Sequence, residues 1–247
     1  MTRPNTLITG AASGIGRALA ERLAGDGHAL VLVDVASCDD VATRCPDVVR
    51  LEGNVADEAF WEGAKPQLRD LTHAAVNAGI ADDGRIVDQT FDSWRRMMSV
   101  NLDGAFLTLR AALRAMKGTG PRSIVLTASI AGIKPERGIG AYAASKAGVI
   151  QLMRVAAKEA AEAGIRVNAI APGGVDTPIW DGMPFFEELK ESEGGRAEAI
   201  AALGKVATPL GRYATADEIA GQIAFLLSDQ AAFITGAVLQ SDGGYSL

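Results

Sequence analysis

Residues 5–16 read Asn5-Thr6-Leu7-Ile8-Thr9-Gly10-Ala11-Ala12-Ser13-Gly14-Ile15-Gly16, a short apolar run followed at once by three closely spaced glycines. A helix-like stretch, Gly14–Gly25, comes next. Glycines let the backbone turn tightly and approach a pyrophosphate without side-chain obstruction. The helix behind them offers free N–H groups and the positive end of its dipole. A lone glycine pattern carries little, because any tight turn from strand to helix can hold three glycines. Its position between an apolar strand and the helical run Ile15–Leu23 makes it a phosphate-cradle candidate.

Beyond this stretch, short β-like runs alternate with longer helix-like ones. Strands are expected at Asn5–Thr9, Ala29–Asp34, Val48–Glu52, Ala74–Asn77, Ser123–Thr127, Arg166–Ala171 and Ala237–Gln240. Helices are expected near Gly14–Gly25, Asp57–Asp70, Phe91–Lys117, Ala141–Ala163 and Thr215–Ser228. Continuous apolar runs such as Leu30-Val31-Leu32-Val33 suit strands covered on both faces. The alternation predicts parallel βαβ units and an α/β fold: one doubly wound Rossmann-type domain over residues 1–247, with about seven strands flanked by helices. The irregular part, about residues 173–214, is longer than an ordinary connection and carries Trp180, Met183, Phe185 and Phe186 before a charged helix-like run, Glu187–Ala202. Two readings stand: a lid over a substrate, or a surface helical hairpin burying its own aromatics.

The 247 residues are 48% hydrophobic, 22% charged and 5% aromatic, as expected of a globular core that needs no disulfide or metal staple. Lys and Arg total 24 against 30 Asp and Glu, a net charge of −6, which argues against a broad nucleic-acid footprint. Cys38, Cys45, His28 and His73 show no metal-ligand spacing, so no metal is expected. Met1 to Asn5 lead straight into the first strand without a signal-peptide pattern, and no apolar run is long enough to cross a bilayer. A cytoplasmic protein with no membrane partner is expected.

Two further patterns carry chemistry. Asp34 ends the second strand, 18 residues beyond Gly16, where a carboxylate can accept hydrogen bonds from both hydroxyls of an adenosine ribose. It would repel the extra phosphate of NADP, and no Arg or Lys directly follows it, although Arg17 or Arg44 could reach that phosphate in the fold. Tyr142 and Lys146 lie four residues apart at the start of a helix and share one face. An ammonium there would lower the pKa of a phenol that otherwise titrates near 10.

Ser129 precedes Tyr142 by 13 residues, just past the strand that ends at Thr127, and Asn101 sits on an expected helix. The set Asn101, Ser129, Tyr142, Lys146, together with the spacing Thr9-Gly10-xxx-Gly14-x-Gly16, resembles the catalytic tetrad and glycine loop of the short-chain dehydrogenases/reductases. The resemblance spans almost the whole chain. It includes Asn77-Ala78-Gly79, Pro172-Gly173 with Thr177, Ile234-Thr235-Gly236 and Asp242-Gly243-Gly244.

It implies a nicotinamide cofactor held by Gly10, Ser13, Gly14, Ile15 and Gly16 at the loop and by Asp34, Asn54 and Val55 around the adenosine. It also implies contacts from Asn77, Ala78 and Gly79, from Tyr142 and Lys146, and from Pro172, Gly173, Val175 and Thr177 near the nicotinamide. NAD is expected in preference to NADP, since Ser13 stands where many NADP-using relatives carry a basic residue. Three departures are modest: Ala128 replaces a second serine, Val76 an asparagine, and Asn54 the more frequent aspartate at the adenine. An amide oxygen at Asn54 can still accept from the adenine amino group.

The resemblance implies that Tyr142 exchanges the alcohol proton, Ser129 holds the substrate oxygen, Lys146 binds the nicotinamide ribose, and Asn101 holds a water linking Lys146 to solvent. A small-molecule secondary alcohol or ketone is the expected partner, bounded by Ile133, Trp180, Met183 and Phe185, though these can equally be packing within the 173–214 segment. A homotetramer is expected. The alternatives are a 3-oxoacyl-thioester reductase, which Asp34 opposes, and a non-catalytic NAD-binding protein, which the intact tetrad opposes.

Overall fold

The computed structural model describes residues 3–45 and 47–247; Met1 and Thr2, at the head of the N-terminal stretch considered above, lie outside the described residues. In chain order the elements are β1 (Asn5–Thr9), α1 (Gly14–Gly25), β2 (Ala29–Asp34), α2 (Asp39–Ala42), β3 (Val48–Glu52), α3 (Glu58–Ala64), β4 (His73–Val76), α4 (Phe91–Met98) and α5 (Gly104–Ala115). They continue as β5 (Arg122–Thr127), α6 (Gly140–Ala160), β6 (Ile165–Pro172), β7 (Val175–Asp176), α7 (Pro184–Glu193), α8 (Arg196–Ala207), β8 (Ala214–Thr215), α9 (Ala216–Leu227) and β9 (Val238–Ser241).

Among the described residues the main sheet has seven parallel strands in the order β3-β2-β1-β4-β5-β6-β9. The expected Rossmann-type architecture is therefore present. Successive strand residues face opposite sides, as the period of two requires. Leu7, Val31, Val33, Ile124 and Leu126 join a core with α3, α5 and α6. Ile8, Leu30, Leu32 and Val125 join a second core with α1 and α9 on the other face. Both faces are thus covered at the centre of the sheet, where β2 is a continuous apolar run, while the edge strand β3 carries Arg50 and Glu52 and is partly exposed. The chain leaves β1 for β2 and β3 on one side, then returns to β4 on the other. This reversal opens a crevice at the carboxyl ends of β1 and β4.

Three helical expectations change in detail. The continuous helix Phe91–Lys117 is interrupted by a wide π-helical turn, Ser99–Asp103, which carries Asn101. From this turn the Asn101 amide bonds both the N–H and the carbonyl of Ile80, tying the turn to the segment after β4. The stretch Asp57–Asp70 is α-helical only to Ala64. Pro66 lacks a backbone donor, and Lys65–Leu68 tightens to a 3₁₀ turn. The charged run Glu187–Ala202 is two helices, α7 and α8, because Gly194 and Gly195 turn the chain at φ of 87° and 155°.

Those two helices close their own small core of Met183, Phe186, Ala199 and Ile200. β7 and β8 pair in parallel, Val175 with Ala214 and Asp176 with Thr215, so both ends of the segment are anchored side by side. Arg196 adds ion pairs to Asp176 at 2.6 Å and Asp181 at 3.1 Å. The helix that follows, α9, starts with a capping box between Thr215 and Glu218.

At the opposite end of the sheet His73 is 7% exposed, with Nδ1 hydrogen-bonded to the Thr72 hydroxyl at 2.7 Å and the His28 ring 5.6 Å away. Burial, then the charges of His28 and Arg166, pull its pKa down to about 4. The unfolded chain binds this proton near pH 6.5, while the folded chain refuses it until about pH 4. Stability contributed by neutral His73 is therefore lost as pH falls from 6.5 toward 4, by up to about 3 kcal/mol. Urea midpoints at pH 7 and 4.5 should show that loss in the wild type and a flatter profile in His73→Asn; parallel profiles would contradict it.

Candidate active site

The crevice at the β1/β4 reversal is a cleft of about 830 Å³. Its floor begins at the glycine loop. Gly10 and Gly14 hold φ of 68° and 52°, in the left-handed region that a side chain disfavours. A Cβ on Gly10 would also lie 2.9 Å from the Ala78 Cα. Ser13 is the N-cap of α1, yet its side chain makes no capping bond and the first turn carries no acid. The N–H groups of α1 therefore keep their capacity for an outside acceptor. Gly10, Ser13, Gly14 and Ile15 line the cleft, whereas Gly16 does not. A Cβ there would stand 2.0 Å from the Gly10 carbonyl oxygen. Gly16 lets α1 pack against the loop, and it touches no ligand space.

Asp34 lines the same cleft, with its carboxylate oriented by the N–H groups of Ala12 at 2.9 Å and Ala36 at 3.0 Å. One bond comes from the glycine loop itself, so acid and loop are held in fixed relation. Arg17 and Arg44 both pair with Glu21, at 3.1 and 3.0 Å, and neither lines the cleft. Val55 and Asn54 form the wall beyond Asp34. The Asn54 amide oxygen, expected to face an adenine, accepts the Ala56 N–H at 2.9 Å and shapes its own turn. Asn77 laces three strands: its Nδ2 donates to the Thr9 carbonyl at 3.1 Å and its Oδ1 accepts the Thr127 hydroxyl at 3.0 Å. Ala78 and Gly79 follow it along the cleft, and Pro172, Gly173, Val175 and Thr177 face them from the ends of β6 and β7.

Ser129, Tyr142 and Lys146 line one stretch of that wall. Ser129 caps a 3₁₀ turn, Ile130–Gly132, by accepting the Ala131 N–H at 3.2 Å. Tyr142 and Lys146 occupy the first turns of α6, with the ammonium 5.7 Å from the centre of the phenol ring. Lys146 is 4% exposed and donates to the Thr127 carbonyl at 3.0 Å. Burial pulls its pKa down to about 8. Burial pushes the Tyr142 phenol up, and its hydrogen bond with Ser129 works against that rise.

Asn101 lies below, with Oδ1 accepting the Ile80 N–H at 2.8 Å and Nδ2 donating to the Ile80 carbonyl at 2.9 Å and the Ser145 hydroxyl at 3.1 Å. Its amide is occupied by protein groups, so its side chain positions Ile80 and α6. Gly79 completes the fit, since a Cβ there would lie 3.2 Å from both Asn101 Oδ1 and Lys146 Nζ.

Of the four residues expected around a substrate, Trp180, Met183 and Phe185 line the cleft. Ile133 does not. Gly132 seats against the backbone of Lys146 and Ala147, and Ile133 leaves the turn on the outside, 42% exposed. Phe186 points into the small core of α7 and α8 and is fully buried. Trp180 stacks on Tyr213 at 5.5 Å and donates to the Val175 carbonyl at 2.7 Å. Tyr213, Tyr245, Glu136, Ile139 and the run Ile80–Asp83 also line this end. Among the described residues no His, Cys, Asp or Glu cluster is placed to hold a metal ion. No helix among them is long and apolar enough to cross a membrane.

A parallel sheet with a strand-order reversal, a glycine loop at that reversal and a Ser-Tyr-Lys wall define a nucleotide-binding oxidoreductase fold. The family model described as enoyl-(acyl carrier protein) reductase, a branch of the short-chain dehydrogenases/reductases, matches residues 10–246. The chain is 39% identical over 250 residues to cis-4-hydroxycyclohexanecarboxylate dehydrogenase of Sinomonas cyclohexanicum, covering 97% of this chain and 95% of that one. It is 34% identical over 249 residues to a 3-oxoacyl-[acyl-carrier-protein] reductase of Thermotoga maritima, covering 96% of each. The crystal structure of carveol dehydrogenase from Mycobacterium avium in complex with NAD superposes with a TM-score of 0.89 at 28% identity, over 98% of this chain and 97% of that one. The protein belongs to the short-chain dehydrogenase/reductase family, oxidoreductases that use a nicotinamide cofactor.

The Gly16 contact has a direct test. Gly16→Ala should lower unfolding stability by about 1–3 kcal/mol, because the obstructing atom is backbone and cannot swing aside. Gly63→Ala, in α3 with nothing within 4 Å of the added carbon, should leave stability equal or slightly higher. Denaturant midpoints of the two variants decide it; equal midpoints would remove the packing role.

Proposed function

We propose that the protein is an NAD-dependent oxidoreductase that interconverts an uncharged, partly apolar secondary alcohol and its ketone, with Tyr142 as the acid/base. One observation carries the reading: Ser129, Tyr142 and Lys146 converge on the wall of the same cleft that holds Asp34 and the uncapped start of α1. The left-handed glycines and the free N–H groups suit a pyrophosphate, and the oriented Asp34 carboxylate suits a ribose diol. A bound nicotinamide dinucleotide supplies the hydride chemistry.

The chain's own residues move the proton. Tyr142 presents its hydroxyl beside Ser129, so one substrate oxygen can be reached by both. Ser129 donates to that oxygen as charge develops on it. Lys146, buried and anchored by Thr127, stabilises the phenolate when Tyr142 gives up its proton. Burial drives both groups toward neutrality, so the cationic lysine and the anionic phenolate favour each other's charge. Asn101 holds Ile80, Ser145 and the π-helical turn in register beneath Lys146.

Trp180, Met183 and Phe185 give the substrate end an apolar face, and the 173–214 segment serves as its lid. The ring alcohols in the names of the Sinomonas and Mycobacterium relatives are compatible with that face. The Thermotoga relative favours the alternative of a 3-oxoacyl-thioester reductase. Asp34, with Arg17 and Arg44 both committed to Glu21, weighs toward NAD and away from that NADPH-linked activity.

NADH formation with a panel of secondary alcohols should be measurable for the wild type. In Tyr142→Phe it should fall by about 10²–10⁴-fold in kcat while NAD still binds. Substantial turnover in that variant would show that the proton carrier lies elsewhere. Steady-state kinetics with both cofactors should give NAD an advantage of about ten- to a hundredfold in kcat/KM, from charge-assisted bonds to Asp34 worth about 1.5–3 kcal/mol. Asp34→Ala should narrow the gap by weakening NAD, whereas an NADP preference in the wild type would exclude Asp34 as the ribose ligand.

A further inference from the structure

The segment after β9, Asp242–Leu247, crosses from the 173–214 segment to the loop that precedes Tyr142. Gly243 and Gly244 take φ of 63° and 87°, and a Cβ on Gly244 would lie 2.8 Å from Pro209 Cγ. The Leu210 N–H donates to the Gly243 carbonyl at 3.1 Å, tying this segment to the end of α8. The Asp242 carboxylate accepts the N–H groups of Gly244 at 3.0 Å and Ser246 at 2.9 Å. The resulting turn delivers Tyr245 to the wall of the cleft.

There Lys134 grips Tyr245 twice, donating to its carbonyl at 2.8 Å and lying 4.0 Å from the ring centre. Burial and the adjoining Glu136 carboxylate both push the Tyr245 phenol's pKa up, which keeps it neutral. Glu136 also pairs with Lys134 at 3.6 Å. Lys134 and Glu136 sit between Ser129 and Tyr142 in the chain, so the clamp joins the aromatic ring to the loop that carries the reacting hydroxyls. The clamp thus sets the Tyr245 ring on the cleft wall beside the Glu136 carboxylate, whose charge Lys134 pairs.

We propose that Tyr245, clamped by Lys134 and Glu136, is a specificity-determining wall that favours ring-sized alcohols over short acyclic ones. The proposal rests on the oxidoreductase reading and deepens it. Tyr245 and the Trp180–Tyr213 stack line the same cleft as Ser129 and Tyr142, and a six-membered ring carries more apolar surface to bury against such walls than a short chain does. A three-carbon alcohol held at the same hydroxyls has little surface left to bury there. The gain is ordinary binding, made equally before and during reaction, so it belongs in KM more than in kcat.

The test compares cyclohexanol with 2-propanol in wild type, Tyr245→Ala, Tyr245→Phe and Lys134→Met. Tyr245→Ala should cut the ratio of their kcat/KM values about tenfold, with the loss in the cyclohexanol KM. Tyr245→Phe keeps the ring and should restore most of the ratio, and Lys134→Met should fall between. Equal losses for both alcohols, or a ratio unmoved by Tyr245→Ala, would overturn the proposal. A second arm measures cyclohexanol binding by Trp fluorescence in Tyr142→Phe with NAD, with and without Tyr245→Ala. Binding that weakens with Tyr245→Ala while the wild type turns over no alcohol would sustain the wall and sink the oxidoreductase reading. Turnover with Tyr245-independent binding and KM would do the reverse, and a protein that neither binds nor oxidises cyclohexanol would refute the wall.

Discussion

The side chain of Asn77 spans the point where the sheet reverses its strand order. It bonds the last residue of β1 on one side and the last residue of β5 on the other. Parallel strands diverge at such a reversal, because their helices leave in opposite directions, and the crevice would otherwise be closed or loosened by whatever side chain lay nearest. The Asn77 amide holds its edges at a fixed spacing. It also brings Ala78 within a Cβ's width of Gly10, so the glycine loop and the turn after β4 set each other's position. Asp34 is tied to that loop through Ala12, and Thr127 links Asn77 to Lys146 by using its hydroxyl for one and its carbonyl for the other. A short set of hydrogen bonds thus connects both ends of the cleft.

Lys146 shows how the fold spends burial on chemistry. Its ammonium is almost completely enclosed, makes no ion pair among the described residues, and keeps one carbonyl as its hydrogen-bond acceptor. An isolated cation in that position is costly, and the cost appears as a pKa drawn down toward neutrality. The surroundings are built to accept the strain: Gly79 makes room that an alanine would fill, and the π-helical turn lets Asn101 brace the strand-end loop from below. The same enclosure raises the Tyr142 phenol. Packing therefore sets both groups' protonation, and it is decided by residues with no charge of their own.

What depends on near neighbours in the chain was legible from residue order. Apolar runs of strand length between helical stretches required a parallel sheet covered on both faces, because alternation in sequence becomes alternation of layers. The glycine loop was legible because strand, turn and helix adjoin in the chain, and the Tyr142–Lys146 pair because four residues make one helical turn. Asp34 was legible because it ends a strand whose limits the apolar run already marked.

Tertiary structure alone decided the rest. Gly16 looks like its neighbours in the loop, yet only the approach of α1 shows that it packs and touches no ligand space. Asn54 lines the cleft, and its amide oxygen also shapes its own turn by accepting the Ala56 N–H two residues on. Ile133 is apolar and close in sequence to Ser129, but the seating of Gly132 on α6 turns it outward. Tyr245, Tyr213 and Glu136 come from distant parts of the chain and follow no period. They meet at the cleft because the segment after β9 is laid across the end of α8 and gripped by Lys134. Spacing along a helix or strand is set by local backbone geometry, whereas the far wall of a pocket is set by how separate elements pack, which no local pattern records.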